Sequence, residues 1–258
     1  MIVISERING LFKSVSKAID NKDAEFLQNL ARDQVAAGAD VLDLNTGPGV
    51  DDPAGTMKWM VESVQDAVDV PLSIDTPNVQ AMEAGITAAK DKVIINSTTA
   101  EAAKMEALFP LAQNYDSEMI CLTLDEKGIP NDANSRAELA MVMVTKAMEF
   151  GISTDRLYLD PLVLPVGAAQ DQGMKVLEAL GMFKAIADPA PKTVVGLSNV
   201  SNNTKERPLL NRTYLVMLLA YGLDAAIMDP TDKDLMYAAK AAEILLNKRL
   251  YADDFLRI

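Results

Sequence analysis

Short runs of β-branched and other apolar residues alternate along this chain with longer stretches whose apolar positions recur every three to four residues. The short runs fall at residues 2–5, 41–44, 72–74, 93–95, 119–124, 157–159, 193–197 and 225–228. Each has the length and composition of a buried strand. The longer stretches carry the i, i+3, i+4 spacing of a helix with one buried face, most clearly at 24–37, 57–68, 136–150 and 235–247. The punctuation agrees. Asp52-Pro53 and Thr76-Pro77 each set a capping side chain before a proline suited to a first helical turn. Thr231 and Asp234 have the spacing of a capping box. Gly38 and Gly151 stand just past helical stretches, where a left-handed residue ends a helix.

Strand–helix alternation through the whole chain predicts a parallel sheet with crossover helices. Eight such units in 258 residues predict closure into an α/β (β/α)8 TIM barrel, a single domain over residues 1–258. No composition break marks a linker. Apolar residues make up 49% of the chain, ample for a large core. No 18-residue apolar run and no basic-then-apolar leader occur, so neither a membrane span nor an export signal is expected, and the location is read as cytoplasmic.

Composition then narrows the chemistry. There is no histidine and one cysteine, Cys121. A Ser-His-Asp or Cys-His nucleophile is impossible within such a chain, and a zinc site would have to rest on carboxylates almost alone, so no metal is expected. A lone cysteine excludes an intrachain disulfide. The net charge of −13 sets nucleic-acid binding aside. The 14 methionines are expected as adaptable core filler, Trp59 as packing and Cys121 as a small buried apolar residue.

The C-terminal ends of the strands are where a barrel builds its active site. Strand 1 runs into Glu6, Arg7 and Asn9. Strand 2 contains Asp43 and ends at Asn45. Asp75, then Asn96-Ser97-Thr98, follow strands 3 and 4. Asp125 and Asp160 follow strands 5 and 6. Ser198-Asn199 and Asp229 follow strands 7 and 8. Any one of these residues is ordinary as a helix cap or turn former. A polar group at all eight strand ends points to a site. The set is rich in acids and amides, poor in cations, and lacks a glycine-rich phosphate motif. It suits a neutral heterocycle rich in N–H donors. The 2-aminopyrimidin-4-one edge of a pterin is one such group, because a carboxylate accepts its amino and ring N–H as a fork and amides serve its mixed positions.

The segments Glu6-Arg7-Ile8-Asn9-Gly10, Leu42-Asp43-Leu44-Asn45, Ile74-Asp75-Thr76, Ile95-Asn96-Ser97-Thr98 and Leu159-Asp160-Pro161-Leu162 carry a resemblance, and so do Gly196-Leu197-Ser198-Asn199-Val200-Ser201, Arg207-Pro208, Asn211-Arg212 and Gly222-Leu223-Asp224-Ala225-Ala226. Together, in this order, they resemble the methyltetrahydrofolate:corrinoid protein methyltransferases of the pterin-binding barrel superfamily. The resemblance implies a (β/α)8 barrel, usually a homodimer, that binds tetrahydrofolate or 5-methyltetrahydrofolate. It implies methyl transfer between N5 of that folate and the cobalamin of a separate corrinoid protein docked over the barrel mouth. Asp75, Asn96 and Asp160 match the positions that hold the pterin, and Asn199 the one that reaches N5. Asn199, Asp75 and Asp160 are thus the implied catalytic set, with Gly196 and Ser198 beside the substrate. Asn202 and Arg207 match positions in the following loop that approach the folate, Asn202 standing where the family carries glutamine. Glu6, Asn9, Asp43 and Asn45 complete the rim. Transfer in either direction uses the same site. Two rivals share the pocket. A dihydropteroate synthase needs cations for pyrophosphate departure, but Asn199 stands where its lysine is expected and its histidine-containing motif cannot exist here. A non-catalytic folate-binding barrel would hold the ring without methyl transfer.

Overall fold

The computed structural model describes residues 1–252. The strands are β1 (Ile2–Asn9), β2 (Val41–Asn45), β3 (Leu72–Asp75), β4 (Val93–Thr99), β5 (Glu118–Leu122), β6 (Leu157–Asp160), β7 (Lys192–Gly196) and β8 (Ala225–Met228). Each pairs in parallel with the next, and β8 closes onto β1, so the predicted (β/α)8 barrel is the observed fold. The outer helices are α1 (Lys13–Asp20), α2 (Ala24–Ala36), α3 (Pro53–Gln65), α4 (Val79–Ala88), α5 (Ala102–Asn114), α6 (Ala133–Glu149), α7 (Gln172–Phe183), α8 (Arg207–Ala220) and α9 (Lys233–Leu245). Among the described residues, no helix is long and apolar enough to cross a membrane.

Strand alternation organises the interior. Ile4, Val41, Ile94, Ile120, Tyr158, Val194 and Ala225 form one buried cluster. A cluster with one residue from seven strands can only fill the inside of the barrel. Two residues further along a strand the side chain returns to the same face. That step leads from Ile4 to Glu6, Val41 to Asp43, Ile94 to Asn96, Tyr158 to Asp160 and Val194 to Gly196. An apolar plug therefore lies directly beneath a polar layer. The opposite strand faces carry Leu42, Leu44, Ile74, Ile95 and Leu159, which pack with helix residues such as Met57, Met60, Phe109 and Phe183. Each such side chain contributes about 1.5–3 kcal/mol when fully buried.

Several boundaries differ from expectation. β1 runs on through Glu6, Arg7 and Asn9, with a register shift against β2 between Ser5 and Ile8. β4 continues through Asn96, Ser97 and Thr98 with a similar shift. In both cases polar side chains at the mouth belong to the sheet, which a reading based on apolar runs ends too early. β5 stops at Leu122, and Asp125 belongs to a tight turn closed against Gly128. Asp52 caps α3 as expected, accepting from Gly55 N. Helix α4 is capped by Asn78 rather than Thr76, whose hydroxyl accepts from Asn78 N one turn earlier. Helix α9 is capped by Asp232, because the Thr231 hydroxyl is already donated to Asp229. Gly38 and Gly151 do adopt left-handed backbone past their helices.

The expectation of methionine as core filler holds for Met57, Met60, Met82, Met119 and Met143, which are buried, but not for Met141, Met148, Met174, Met182 and Met217, which are exposed on the outer helices; Trp59 packs against the core with Lys22 Nζ 4.6 Å from its ring. Cys121 is fully buried, and burial pushes its thiol well above the usual range. At the N-terminal end of the barrel a cleft of about 760 Å³ is lined by charged groups that are already partnered. Lys192 pairs with Glu118, Lys92 and Arg156 with Asp116, and Lys184 with Asp224. This is the face that serves stability in barrels of this type.

Candidate active site

The polar layer closes around the C-terminal mouth. Strand register sets Asn45, Asp75 and Asn96 at one level across β2, β3 and β4. Asn45 Nδ2 donates to Asp75 Oδ2 at 2.6 Å, while its Oδ1 accepts from Gly47 N at 2.6 Å. Asn96 Nδ2 donates to Asp43 Oδ1 at 3.1 Å. Two acids and two amides thus share one wall. Across the barrel, Asp160 ends β6 at 5% exposure. Its Oδ1 accepts from Leu162 N at 2.7 Å. Its backbone carbonyl accepts from both the amide and the hydroxyl of Thr123, each at 3.0 Å. Asp160 Oδ2 has no hydrogen-bond donor among the described residues.

The β7 end is built differently. Leu197–Ser201 forms a single 3-10 turn on which Ser198 and Asn199 stand. Asn199 is exposed to the mouth, and its Oδ1 accepts from Asn202 Nδ2 at 3.4 Å. The Asn199 Nδ2 donor makes no hydrogen bond among the described residues. Gly196 makes room for it, since a Cβ there would lie 2.9 Å from Asn199 Nδ2. Among the described residues, Arg207 forms no ion pair with a neighbouring acid. Its Nε donates to Ser201 Oγ at 3.2 Å and its Nη2 to Ser198 O at 3.3 Å, so it clamps the turn. On the other side Ser198 Oγ donates to Glu6 Oε1 at 2.6 Å. Asn9 uses its amide oxygen on Leu11 N at 2.9 Å and so holds its own turn. Next to that turn a Cβ on Gly10 would sit 2.2 Å from Thr46 O, which is why the β1 and β2 loops can meet only with glycine there.

Burial raises the carboxyl groups of this layer. It pushes the Asp160 carboxyl up to about 7 and Asp43 up to about 8, the Asp75 carboxylate adding to the effect at Asp43. Asp75 and Glu6 are also raised by burial, opposed at Asp75 by the Asn45 amide and at Glu6 by the Ser198 hydroxyl. Beside this layer a cleft of about 340 Å³ runs outward from Asn45 and Asp75 between Leu11, Pro48, Val50 and Pro77.

Of the residues singled out from the sequence, Glu6, Asp43, Asn45, Asp75, Asn96, Asp160, Gly196, Ser198, Asn199, Asn202 and Arg207 all lie at this mouth or its immediate turn. Asn9 supports a loop at its edge. Two features went unread: the partner of Arg7, a residue already placed at the strand 1 end, and the burial of Arg136. Arg7 crosses the β1–β8 seam to Asp229 at 3.2 Å. Arg136 on α6 is fully buried, donates to Gln172 Oε1 at 2.9 Å and leaves Nε and Nη1 without partners. Its positive charge is felt at Asp160. The signal was present, because Arg136 falls on the same helical face as the buried Ala140, Met143, Val144 and Ala147.

The sequence pattern of the pterin binding enzyme family matches residues 6–229, a span that contains the whole mouth from Glu6 to Asp229. The chain belongs to this family. Among pterin-binding relatives, it is 34% identical over 255 residues to the methylcorrinoid:tetrahydrofolate methyltransferase of Eubacterium limosum, covering 97% of this chain and 93% of that one. It is 25% identical over 241 residues to methionine synthase of Mycobacterium tuberculosis, spanning 88% of this chain but only 20% of that protein. A dihydropteroate synthase from Yersinia pestis superposes with a TM-score of 0.69 at 15% identity, over 96% of this chain and 94% of that one. At that identity the likeness concerns the barrel itself.

Proposed function

We propose that this pterin-binding barrel is a methyltransferase that moves a methyl group between N5 of tetrahydrofolate and the cobalamin of a separate corrinoid protein. The observation that carries the reading is Asp160: a nearly buried carboxylate with one oxygen left without a donor, at the end of a strand, in a layer otherwise made of acids and amides. Such a group accepts the paired N–H donors of a pterin edge as a fork. Asp75 and Asn96 hold the remaining edge of the ring, and the apolar plug beneath them sets its depth. The E. limosum relative, which this chain matches over nearly its full length, supports the methylcorrinoid-to-tetrahydrofolate direction.

The chain's own task in the transfer is at N5. A tertiary amine leaves poorly unless its nitrogen is protonated or hydrogen-bonded as the bond breaks. The open Asn199 Nδ2 is the donor for N5, held against the folate by its turn. Asp160 and Asp75 bind the ring and pass protons with solvent. When docked, the corrinoid supplies the cobalt centre that gives or accepts the methyl group. Asn202 and Arg207 border the outer part of the folate. The working unit is the whole chain as one barrel domain, in the cytoplasm and paired as a homodimer. Met141 and Val142 on α6, Met174 on α7 and Leu209 and Met217 on α8 are exposed apolar side chains that a second copy would cover. Dihydropteroate synthesis lacks support, because the mouth cations Arg7 and Arg207 are engaged by Asp229 and by the Ser198–Ser201 turn.

The test is direct. The protein is mixed with 5-methyltetrahydrofolate and cob(I)alamin, and separately with tetrahydrofolate and methylcobalamin, while the corrinoid absorbance is followed. Protein-dependent conversion is expected in both mixtures. Absence of conversion in both, with tetrahydrofolate binding intact by calorimetry, leaves a non-catalytic folate barrel; absence of binding removes the folate reading altogether.

A further inference from the structure

The turn that carries Asn199 is held from two sides, and only one of them belongs to its own neighbourhood in sequence. Arg207, a few residues on, gathers Ser198 O and Ser201 Oγ. The other hold comes from the far end of the chain, where Glu6 on β1 accepts the Ser198 hydroxyl at 2.6 Å. Glu6 projects from the same strand face as Ile4 and therefore into the mouth layer, one step above the plug. Its Oε2 has no hydrogen-bond donor among the described residues. Burial raises its carboxyl, yet it keeps a hydroxyl donor and lies within reach of the charges of Arg7, Arg207, Asp229 and Asp43. A half-buried acid is costly to keep in a barrel mouth without a task.

We propose that Glu6 is a positioning residue for methyl transfer: through Ser198 it fixes the 3-10 turn and so sets where the Asn199 amide stands against N5 of the folate. This rests on the methyltransferase reading above and on Asn199 as the N5 donor. Ser198 lies next to Asn199 in the chain, so a shift of its hydroxyl anchor passes to the amide through one peptide unit. An amide must stand within a few tenths of an ångström of its hydrogen-bond distance to act on a departing nitrogen.

The inference separates binding from turnover. Glu6→Ala is expected to lower kcat by roughly 10- to 100-fold, the size of one charge-assisted hydrogen bond, while the Kd for tetrahydrofolate stays within about threefold. Glu6→Gln keeps an oxygen acceptor for Ser198 and recovers most of that loss. Ser198→Ala breaks the same contact from the other side with a minimal change, and the double variant Glu6→Ala with Ser198→Ala is no slower than the worse single one. Three outcomes overturn the proposal. One is kcat within twofold of wild type in both single variants. Another is a Kd that rises as far as kcat falls, which makes Glu6 a direct folate contact. The third is full additivity of the two losses. If the unaltered protein neither binds tetrahydrofolate nor transfers methyl, it is the methyltransferase reading that fails, a result visible before any variant is made.

Discussion

At the scale of single residues, the mouth is governed by carboxyl groups that burial makes easier to protonate. Asp160 is raised from its usual 3.8 to about 7. A fork to pterin N–H donors needs the ionised form. Below that pH the free protein holds a proton that the ligand must expel. Tetrahydrofolate binding at pH 6 is therefore expected to release protons and to weaken about tenfold for each unit below 7. Calorimetry in buffers of different ionisation heat measures the release, and proton-neutral binding at pH 6 would remove Asp160 from the fork. The acids and amides themselves were legible in the sequence. Period-2 alternation places Asp43, Asn45, Asp75, Asn96 and Asp160 on inward faces once the strands are found. What they bond to was not legible, because the Asn45–Asp75, Asn96–Asp43 and Ser198–Glu6 contacts depend on register between strands. Arg136 escaped for a different reason. A charged residue on a helix reads as solvated surface unless its position on the buried face is given more weight than its charge.

At the scale of elements, the β7 turn joins sequence to chemistry. Gly196 follows the buried β-branched run Thr193–Val195 at the end of β7 because a side chain there would press on Asn199. Gly196→Ala is expected to leave the fold intact, since the obstructed atom is the free end of a side chain, but to move the amide. The variant should therefore reproduce Asn199→Ala, losing on the order of 2–4 kcal/mol in kcat/KM with only a small change in folate Kd. Steady-state rates beside calorimetry separate the two quantities. Normal turnover in Gly196→Ala would mean that the amide needs no fixed place. Helix starts were read less well than strands. Thr76 and Thr231 are good caps in isolation, but each hydroxyl is spent on an adjoining turn and the cap passes to Asn78 and Asp232. Local hydrogen bonds of this kind compete on nearly equal terms, so sequence alone does not rank them. β1 and β4 ran on because their mouth residues pair as strand while looking polar.

At the scale of the whole molecule, the barrel was the most legible feature, since eight apolar runs and their spacing leave little choice of topology. Its energetics carry the imprint of the site. Glu6, Asp43, Asp75 and Asp160 all have carboxyls raised by burial. In the unfolded chain they ionise near their ordinary values, so between about pH 4 and the raised values the native state binds more protons than the unfolded one. Stability contributed by these groups is therefore full at low pH and declines as pH rises, the Asp160 part being lost through about 7 and the Asp43 part through about 8. The ligand-free protein is expected to show a falling Tm from pH 6 to pH 8.5, and Asp43→Asn to flatten that fall. A thermal scan across this range, with and without Asp43→Asn, decides it; a wild-type Tm that rises over the interval would contradict the assignment.

The apolar plug from Ile4 to Ala225 makes the barrel a blind well with one entrance. Whatever is seated at the bottom must arrive first and depart last. On the function proposed above, a folate resting on the plug would lie beneath a corrinoid protein that covers the rim, so the two partners would form a queue rather than meet from opposite ends, and the spent pterin would leave only after its visitor had lifted away.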